Sequence, residues 1–283
     1  MHIFRSPEKL AEYLARKRTA GGDIGYVPTM GALHDGHLAL LAEAKVQCDL
    51  VLCSIFVNPT QFNDPADFAQ YPVDLKTDIR KLIEAGCSVL YAPDARAVYP
   101  EGMDQLESYA FGDLETRAEG AHRPGHFQGV GQVLSRFVRL IQPDKMFMGQ
   151  KDYQQVRITG RLLELLEMPV ELVMVPTHRE ADGLAQSSRN VRLSAAARQT
   201  APLLHATLAE IVSRRFEAPL DRLLAEGTAK LQDAGFTVEY LQLADATDLK
   251  PAAAFGPMPQ VLLIAAWLDG VRLIDNILLK KDG

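Results

Sequence analysis

Ile24-Gly25-Tyr26-Val27-Pro28-Thr29-Met30-Gly31-Ala32-Leu33-His34-Asp35-Gly36-His37 is the stretch from which the fold is read. Ile24–Val27 is a short apolar run with the β-branched and aromatic residues that suit a strand. Proline and glycine then break it, and the residues after His34 open a helix. The same alternation continues outward. Apolar runs recur at Leu50–Val57, Ser88–Ala92, Lys145–Met148 and Val170–Val175. Between them lie helical faces: Leu75, Ile79, Leu82 and Ile83; Val133, Leu134, Phe137, Val138 and Ile141; Val156, Thr159, Leu163 and Leu166. Strands alternating with helices predict βαβ units, right-handed crossovers and a parallel sheet. The runs are apolar throughout, as expected of strands buried on both faces.

Periodicity fades between Pro93 and Gln128, where only a short strand near Leu106–Phe111 is expected. A long irregular segment inside a compact domain is more often functional than not. After about residue 180 the pattern changes. Ser194–Arg215 and Leu220–Ala234 predict helices, and Thr237–Leu243 alternates as a strand does. Val261–Leu268 and Val271–Ile277 are joined by Asp269-Gly270, a strong hairpin signal. The expected class is α/β, a parallel-sheet domain followed by a smaller α+β domain with an antiparallel sheet.

Composition narrows the function. Thirty Lys and Arg against 36 Asp and Glu give a net charge of −6, without the basic footprint of a nucleic-acid binder. The longest apolar run, Val261–Leu268, is far short of the roughly 18 residues of a membrane span. The N-terminus lacks the apolar stretch of a signal peptide, so cytoplasm is the expected location. Cys48, Cys53 and Cys87 have no C-x-x-C spacing; Cys48 and Cys53 are expected to be small buried hydrophobes.

Chemistry concentrates at the predicted strand ends, where parallel sheets bind ligands. In the opening stretch, Gly31 and Gly36 allow backbone to approach a phosphate closely, and the helix start offers free N–H groups. His34 and His37, three apart, can face one anion. A zinc site there would need further ligands, which His122 and His126 could in principle supply, but chelation is disfavoured. Gly149-Gln150-Lys151-Asp152-Tyr153 follows another strand, and the Lys151 ammonium can follow charge on transferring phosphate oxygens. Gln186-Ser187-Ser188-Arg189 joins hydroxyls to a guanidinium, a phosphate clamp. Phe56-Val57-Asn58-Pro59-Thr60-Gln61 ends a further strand with polar amides. Neither G-x-x-x-x-G-K-[ST] anywhere nor G-x-G-x-x-G after Ile24–Val27, the expected first strand, occurs, which disfavours P-loop and dinucleotide-dehydrogenase chemistry. Several anion-handling strand ends together point to nucleotidyl transfer. The alternative from another class, a nucleotide-sensing or RNA-binding module, is opposed by the acidic balance.

P-T-M-G-A-L-H-D-G-H, V-N-P-T-Q-F, Y-P-V-D-L, R-P-G-H-F-Q-G-V, G-Q-K-D-Y-Q-Q and S-S-R-N occur in one order across residues 28–190. The set closely resembles the pantothenate synthetase (pantoate–β-alanine ligase) family, of the H-I-G-H nucleotidylyltransferase superfamily. The resemblance implies a Rossmann-like domain over residues 1–177 that binds ATP and pantoate, and an α+β lid domain over 178–283. It implies a ligase with Mg²⁺ accompanying ATP, no metal held by the protein alone, and a homodimer. Pantoate would be adenylylated by ATP, and β-alanine would then displace AMP to give pantothenate. Met30, Gly31, Ala32, Leu33, His34, Asp35, Gly36, His37, Gly149, Gln150, Lys151, Asp152, His178, Gln186, Ser187, Ser188 and Arg189 would bind ATP. Of these His34, His37, Lys151, Ser187, Ser188 and Arg189 would be catalytic, with His37 matching the family's proton donor. Gln61 and Gln155 would bind pantoate, and Gln61 would also neighbour β-alanine. Gln186, His178 and Val73 depart from the residues usual at their positions.

Overall fold

Residues 1–279 are described by the computed structural model. Six strands, β1 (His2–Phe4), β2 (Ile24–Thr29), β3 (Leu50–Ile55), β4 (Val89–Tyr91), β5 (Lys145–Gly149) and β6 (Glu171–Val175), form one parallel sheet in the order β1-β4-β3-β2-β5-β6. All six residues of β3 are buried, five of them apolar and the other, Ser54, satisfied by the Tyr26 hydroxyl at 2.8 Å. Helices cover both faces. Helix His126–Ile141 buries Phe127, Val130, Leu134, Phe137 and Ile141 against one of them. At about 1.5–3 kcal/mol per fully buried large apolar side chain, this helix is a main contributor to the core.

Three antiparallel strands follow: β7 (Thr237–Asp245), β8 (Gln260–Leu268) and β9 (Val271–Leu279). Asp269 and Gly270 turn the last hairpin with φ of 52° and 69°, as their identity predicts. Leu204, Leu208 and Ile211 of helix Leu203–Ser213 and Leu223 and Leu231 of helix Leu220–Asp233 pack on this sheet with Leu262 and Ile264. A separate small cluster, Tyr153 and Ala118 with Ala244, Val261 and Leu263, joins the two sheets' domains. Residues 280–283, which the 178–283 assignment includes, lie outside the described residues.

Four expectations change. The run Ile24–Val27 is not the first strand: β1 and helix Pro7–Thr19 precede it. Three residues are too few to show a period, although Ser6 as N-cap, Pro7 at the first turn and Leu10 and Leu14 four apart were legible signals of the helix. Leu106–Phe111 forms no strand. Its backbone is met instead by the Gln128 side chain, which accepts from Tyr109 N–H (2.9 Å) and donates to Tyr109 C=O (2.8 Å), as a neighbouring strand would. Ser194–Arg215 is two helices, Ala195–Thr200 and Leu203–Ser213, because Pro202 cannot donate within a helix. Cys53 is buried as expected, whereas Cys48, at the end of helix Asp35–Gln47, is only half-buried.

Helix His126–Ile141 reaches the site through one close approach. A Cβ on Gly129 would stand 2.3 Å from the Thr60 carbonyl oxygen and 2.7 Å from Gln61 Cα, both backbone. Ordinarily alanine is the better helix former by about 1 kcal/mol. Here overpacking against backbone dominates, so Gly129→Ala is expected to lose about 1–3 kcal/mol, seen as a lower urea midpoint at an unchanged denaturant slope.

Candidate active site

β3, β2, β5 and β6 are consecutive neighbours in the sheet, and their carboxyl ends lie on one edge. The chain builds outward from β2 to one side, then crosses to lay β5 on the other. The sheet order reverses between β2 and β5, the place where open parallel sheets bind ligands. The loop carrying His34 and His37 leaves β2 there, and the loop carrying Lys151 leaves β5.

The first loop is held from below. Buried Asp78, on helix Leu75–Glu84, accepts the N–H groups of Ala32 (2.9 Å) and Leu33 (2.8 Å), and Lys81 donates to the Leu33 carbonyl. Gly31 has φ of 85°, and a Cβ there would sit 3.0 Å from Asp78 Oδ2, so glycine serves both the turn and the carboxylate. His34 caps helix Asp35–Gln47, and its ring lies 4.1 Å from that of His37, centroid to centroid. His37 Nδ1 accepts the His34 N–H at 3.3 Å, which leaves the neutral ring's proton on Nε2. Burial, then the Lys151 charge, lowers the His34 pKa to about 4. Burial, then His34 and Lys151, holds His37 well below 6.5. Both rings are therefore neutral at pH 7, and His34 Nδ1 is buried without a partner. Gln186 accepts the Gly36 N–H at 2.7 Å, so this departure ties the serine-rich loop to the start of the histidine helix.

Lys151 is held from the other domain. Buried Asn276, on β9, donates to the carbonyls of Gln150 (2.9 Å) and Lys151 (3.0 Å) and accepts from the Gln150 side chain (3.1 Å). Its neighbour Asp275 is gripped by both Arg179 nitrogens at 2.6 and 2.9 Å. After β3, the buried Asn58 amide fixes the orientation of Gln61. It donates to Gly129 C=O (3.0 Å) and to Gln61 Oε1 (3.2 Å), and accepts from Tyr99 (2.7 Å). Gln61 Nε2 is thereby left facing Met30 Sδ at 3.2 Å and the cleft.

Two cavities meet here. The smaller, about 200 Å³, is lined by His34, His37, Gly149, His178, Gln186 and Ser188. The larger, about 520 Å³, runs between the domains past Arg123, His126, Arg192, Tyr240 and Arg272. Met30, Gln61, Lys151, Asp152, Gln155, Ser187 and Arg189 line both. Arg189 is paired with Asp67 at 2.8 Å, and Ser188 lies 3.2 Å from the Tyr71 hydroxyl. Among the described residues, no three or more His, Cys, Asp or Glu side chains form a metal-binding group. The donor set fits a cation carried on nucleotide phosphates, with Asp152 the carboxylate common to both cavities.

A family model described as pantoate-beta-alanine ligase matches residues 2–278. The chain belongs to the pantoate-β-alanine ligase family. The pantothenate synthetase of Pseudomonas fluorescens (strain Pf-5) is 43% identical to it over 284 residues, covering 100% of this chain and 99% of that protein. That of Roseobacter denitrificans is 47% identical over 277 residues, covering 97% and 96%. Among solved structures, the pantothenate synthetase from Thermus thermophilus superposes with a TM-score of 0.91 at 39% identity, covering 98% and 99%. A pantoate-beta-alanine ligase from Francisella tularensis, complexed with beta-gamma ATP and beta-alanine, gives 0.83 at 33% identity, covering 100% and 99%. The parallel sheet and small antiparallel sheet of this ligase-family chain are thus those of its relatives.

Of the residues singled out in the sequence, Gly31, Ala32, Leu33, Asp35 and Gln150 line neither cavity. Leu33 is core, Asp35 is exposed, and Gln150 is bound to Asn276. Val73 is 70% exposed and away from the site. The positioning residues Asp78, Tyr99 and Asn276 have no sequence signature, since a lone Asp on a helix, Tyr in a loop or Asn in a strand carries no spacing signal. The histidine burial has a measurable consequence. Between pH about 6.5 and about 4 the unfolded chain binds a proton at His34 that the native chain refuses, so stability is lost as pH falls through that window. His34→Gln is expected to show a smaller drop in urea midpoint between about pH 7.5 and about pH 5 than the unsubstituted chain.

Proposed function

We propose that this chain is an ATP-dependent ligase that condenses pantoate with β-alanine to pantothenate, in two steps. The convergence of His34, His37, Lys151 and the Ser187–Arg189 turn on one cavity, with Gln61 and Gln155 on the wall it shares with a second, carries this assignment. In the first step a pantoate carboxylate oxygen attacks the α-phosphorus of ATP. The bond to the β-phosphate bridging oxygen breaks, and pyrophosphate leaves. In the second, the β-alanine nitrogen bonds to the acyl carbon, the carbon–oxygen bond to AMP breaks, and the nitrogen loses a proton. A free carboxylate is a poor acylating agent, and the adenylate supplies the leaving group.

His37 Nε2–H and the Lys151 ammonium are hydrogen-bond donors for the phosphate oxygens on which charge builds as pantoate attacks. A neutral imidazole donates without the cost of burying a second cation beside Lys151, and bound phosphate would draw the histidine pKa values back up. Ser187, Ser188 and Arg189 close on the phosphates from the domain junction. Gln61 Nε2 and Gln155 address pantoate, and His178 lies at the nucleotide end of the smaller cavity. Mg²⁺, bound to the phosphates near Asp152, would offset their charge. In this proposal residues 1–177 hold ATP and pantoate and 178–283 form the lid. A homodimer and a cytoplasmic location belong to the same proposal on family grounds alone.

The direct test is isotope exchange between ATP and pyrophosphate. It should require pantoate but not β-alanine, with AMP as the final nucleotide; formation of ADP, or exchange that needs the amine, overturns the mechanism. Gln61→Ala and Gln155→Ala should weaken pantoate far more than ATP, by about 1–3 kcal/mol each, in steady-state KM and direct binding measurements. Lys151→Ala should fold and bind ATP nearly normally, yet form adenylate at least about a hundredfold more slowly in a single turnover. A near-normal rate would remove Lys151 from the adenylation step.

A further inference from the structure

The larger cavity extends beyond the wall at Gln61 and Gln155, away from the phosphate histidines, and it is rich in cations. Most of these cations already have carboxylates. Arg189 and Arg192 share Asp67 at 2.8 and 3.1 Å. Arg272 grips Glu119 through both terminal nitrogens at 2.7 and 2.8 Å and also pairs with Glu239. The ring of His122 faces Glu239 at 3.9 Å. Arg123 differs. Its nearest carboxylate oxygen is Glu119 Oε2 at 4.0 Å, and that oxygen is already bound by Arg272. Its remaining contacts are weak: His126 Nε2 at 3.3 Å and the Gln61 carbonyl at 3.5 Å. Burial lowers the Arg123 pKa despite Glu119, which marks a charge short of neutralisation. Desolvating a guanidinium without a bidentate partner is costly unless a ligand completes it.

The position suits one ligand. Arg123 stands over the backbone of Gln61, and His126 Nδ1, 2.7 Å from the same carbonyl, keeps that turn in place. Both are in the cavity through which a second substrate would approach an acyl group held at Gln61. A substrate whose amine must reach that acyl carbon and whose carboxylate lies two methylenes away needs a cation set back from the reacting centre. We propose that Arg123 binds the carboxylate of the incoming β-alanine and thereby selects a carboxylate-bearing amine for the second step. This assignment rests on the ligase function proposed above.

The experiment compares Arg123→Gln and Arg123→Lys with the unsubstituted chain in three measurements. They are pantoate-dependent ATP–pyrophosphate exchange, KM for β-alanine in AMP release, and the kcat/KM ratio for β-alanine over its neutral amide, 3-aminopropanamide. In Arg123→Gln exchange should be unchanged, KM for β-alanine should rise about 10- to 100-fold, and the preference for the carboxylate should collapse toward parity. Arg123→Lys should keep part of that preference, since it keeps the charge but not the fork. Normal exchange with an unchanged KM and ratio overturns the proposal. A loss of exchange that parallels the loss of β-alanine use also overturns it, because Arg123 would then act by supporting Gln61. Absence of exchange in the unsubstituted chain would instead overturn the ligase function, and this assignment with it.

Discussion

Parallel strands can be joined only by crossovers, so all their carboxyl ends must emerge on the same edge of the sheet. Everything at this site follows from that constraint. β3, β2, β5 and β6 lie side by side, about 5 Å apart, and each delivers one loop to the same edge. Gln61, His34 and His37, Lys151, and the turn from Gln186 to Arg189 come from segments far apart in the chain, yet adjacent strand ends bring them to the two adjoining cavities. Depth within the core keeps the edge rigid. β3 is buried along its length, and the buried carboxylate of Asp78 holds the histidine loop by two backbone N–H groups.

An acidic chain has built a cationic cleft. The net charge is −6, but several carboxylates that line the cleft are already bound by arginines: Asp67 by Arg189 and Arg192, Glu119 by Arg272, Asp275 by Arg179. Burial raises the Glu119 pKa, but the Arg272 hydrogen bonds outweigh it and hold the carboxyl at about 2. The histidines contribute no charge of their own, because burial and the neighbouring lysines keep them neutral. In the proposed function, anionic substrates would meet Lys151 and preorganised N–H donors beside arginines that are mostly already paired, an arrangement that would favour charge developing during reaction over tight ground-state binding.

The two domains share the work through polar ties rather than through a large apolar interface. Asn276 holds the Lys151 loop from β9, Gln186 holds the start of the histidine helix, and Arg272 and Tyr240 hold Glu119. The apolar cluster between the domains is small, built around Tyr153 and Leu263.

The alternation of short apolar runs with helical faces was sufficient to identify five of the six parallel strands, the long helices between them and the last hairpin, because period and turn chemistry are local properties; the short helices Pro65–Ala69, Ala95–Val98 and Glu119–His122 have too few residues to show a period. Motif order from residues 28 to 190 was sufficient for the family. The segment from Pro93 to Gln128 was not legible: its order comes from side chains such as Gln128 and Gln154 that satisfy a distant backbone, and a single glutamine carries no pattern. The sequence by itself determined five strands of the parallel sheet and the polar side chains carried at their ends. Only the tertiary structure decided how those side chains are held and charged. Asp78, Asn58, Asn276 and the open guanidinium of Arg123 act through contacts across tens to more than a hundred residues of chain, and burial, which sets the histidine pKa values, exists only once the chain has folded.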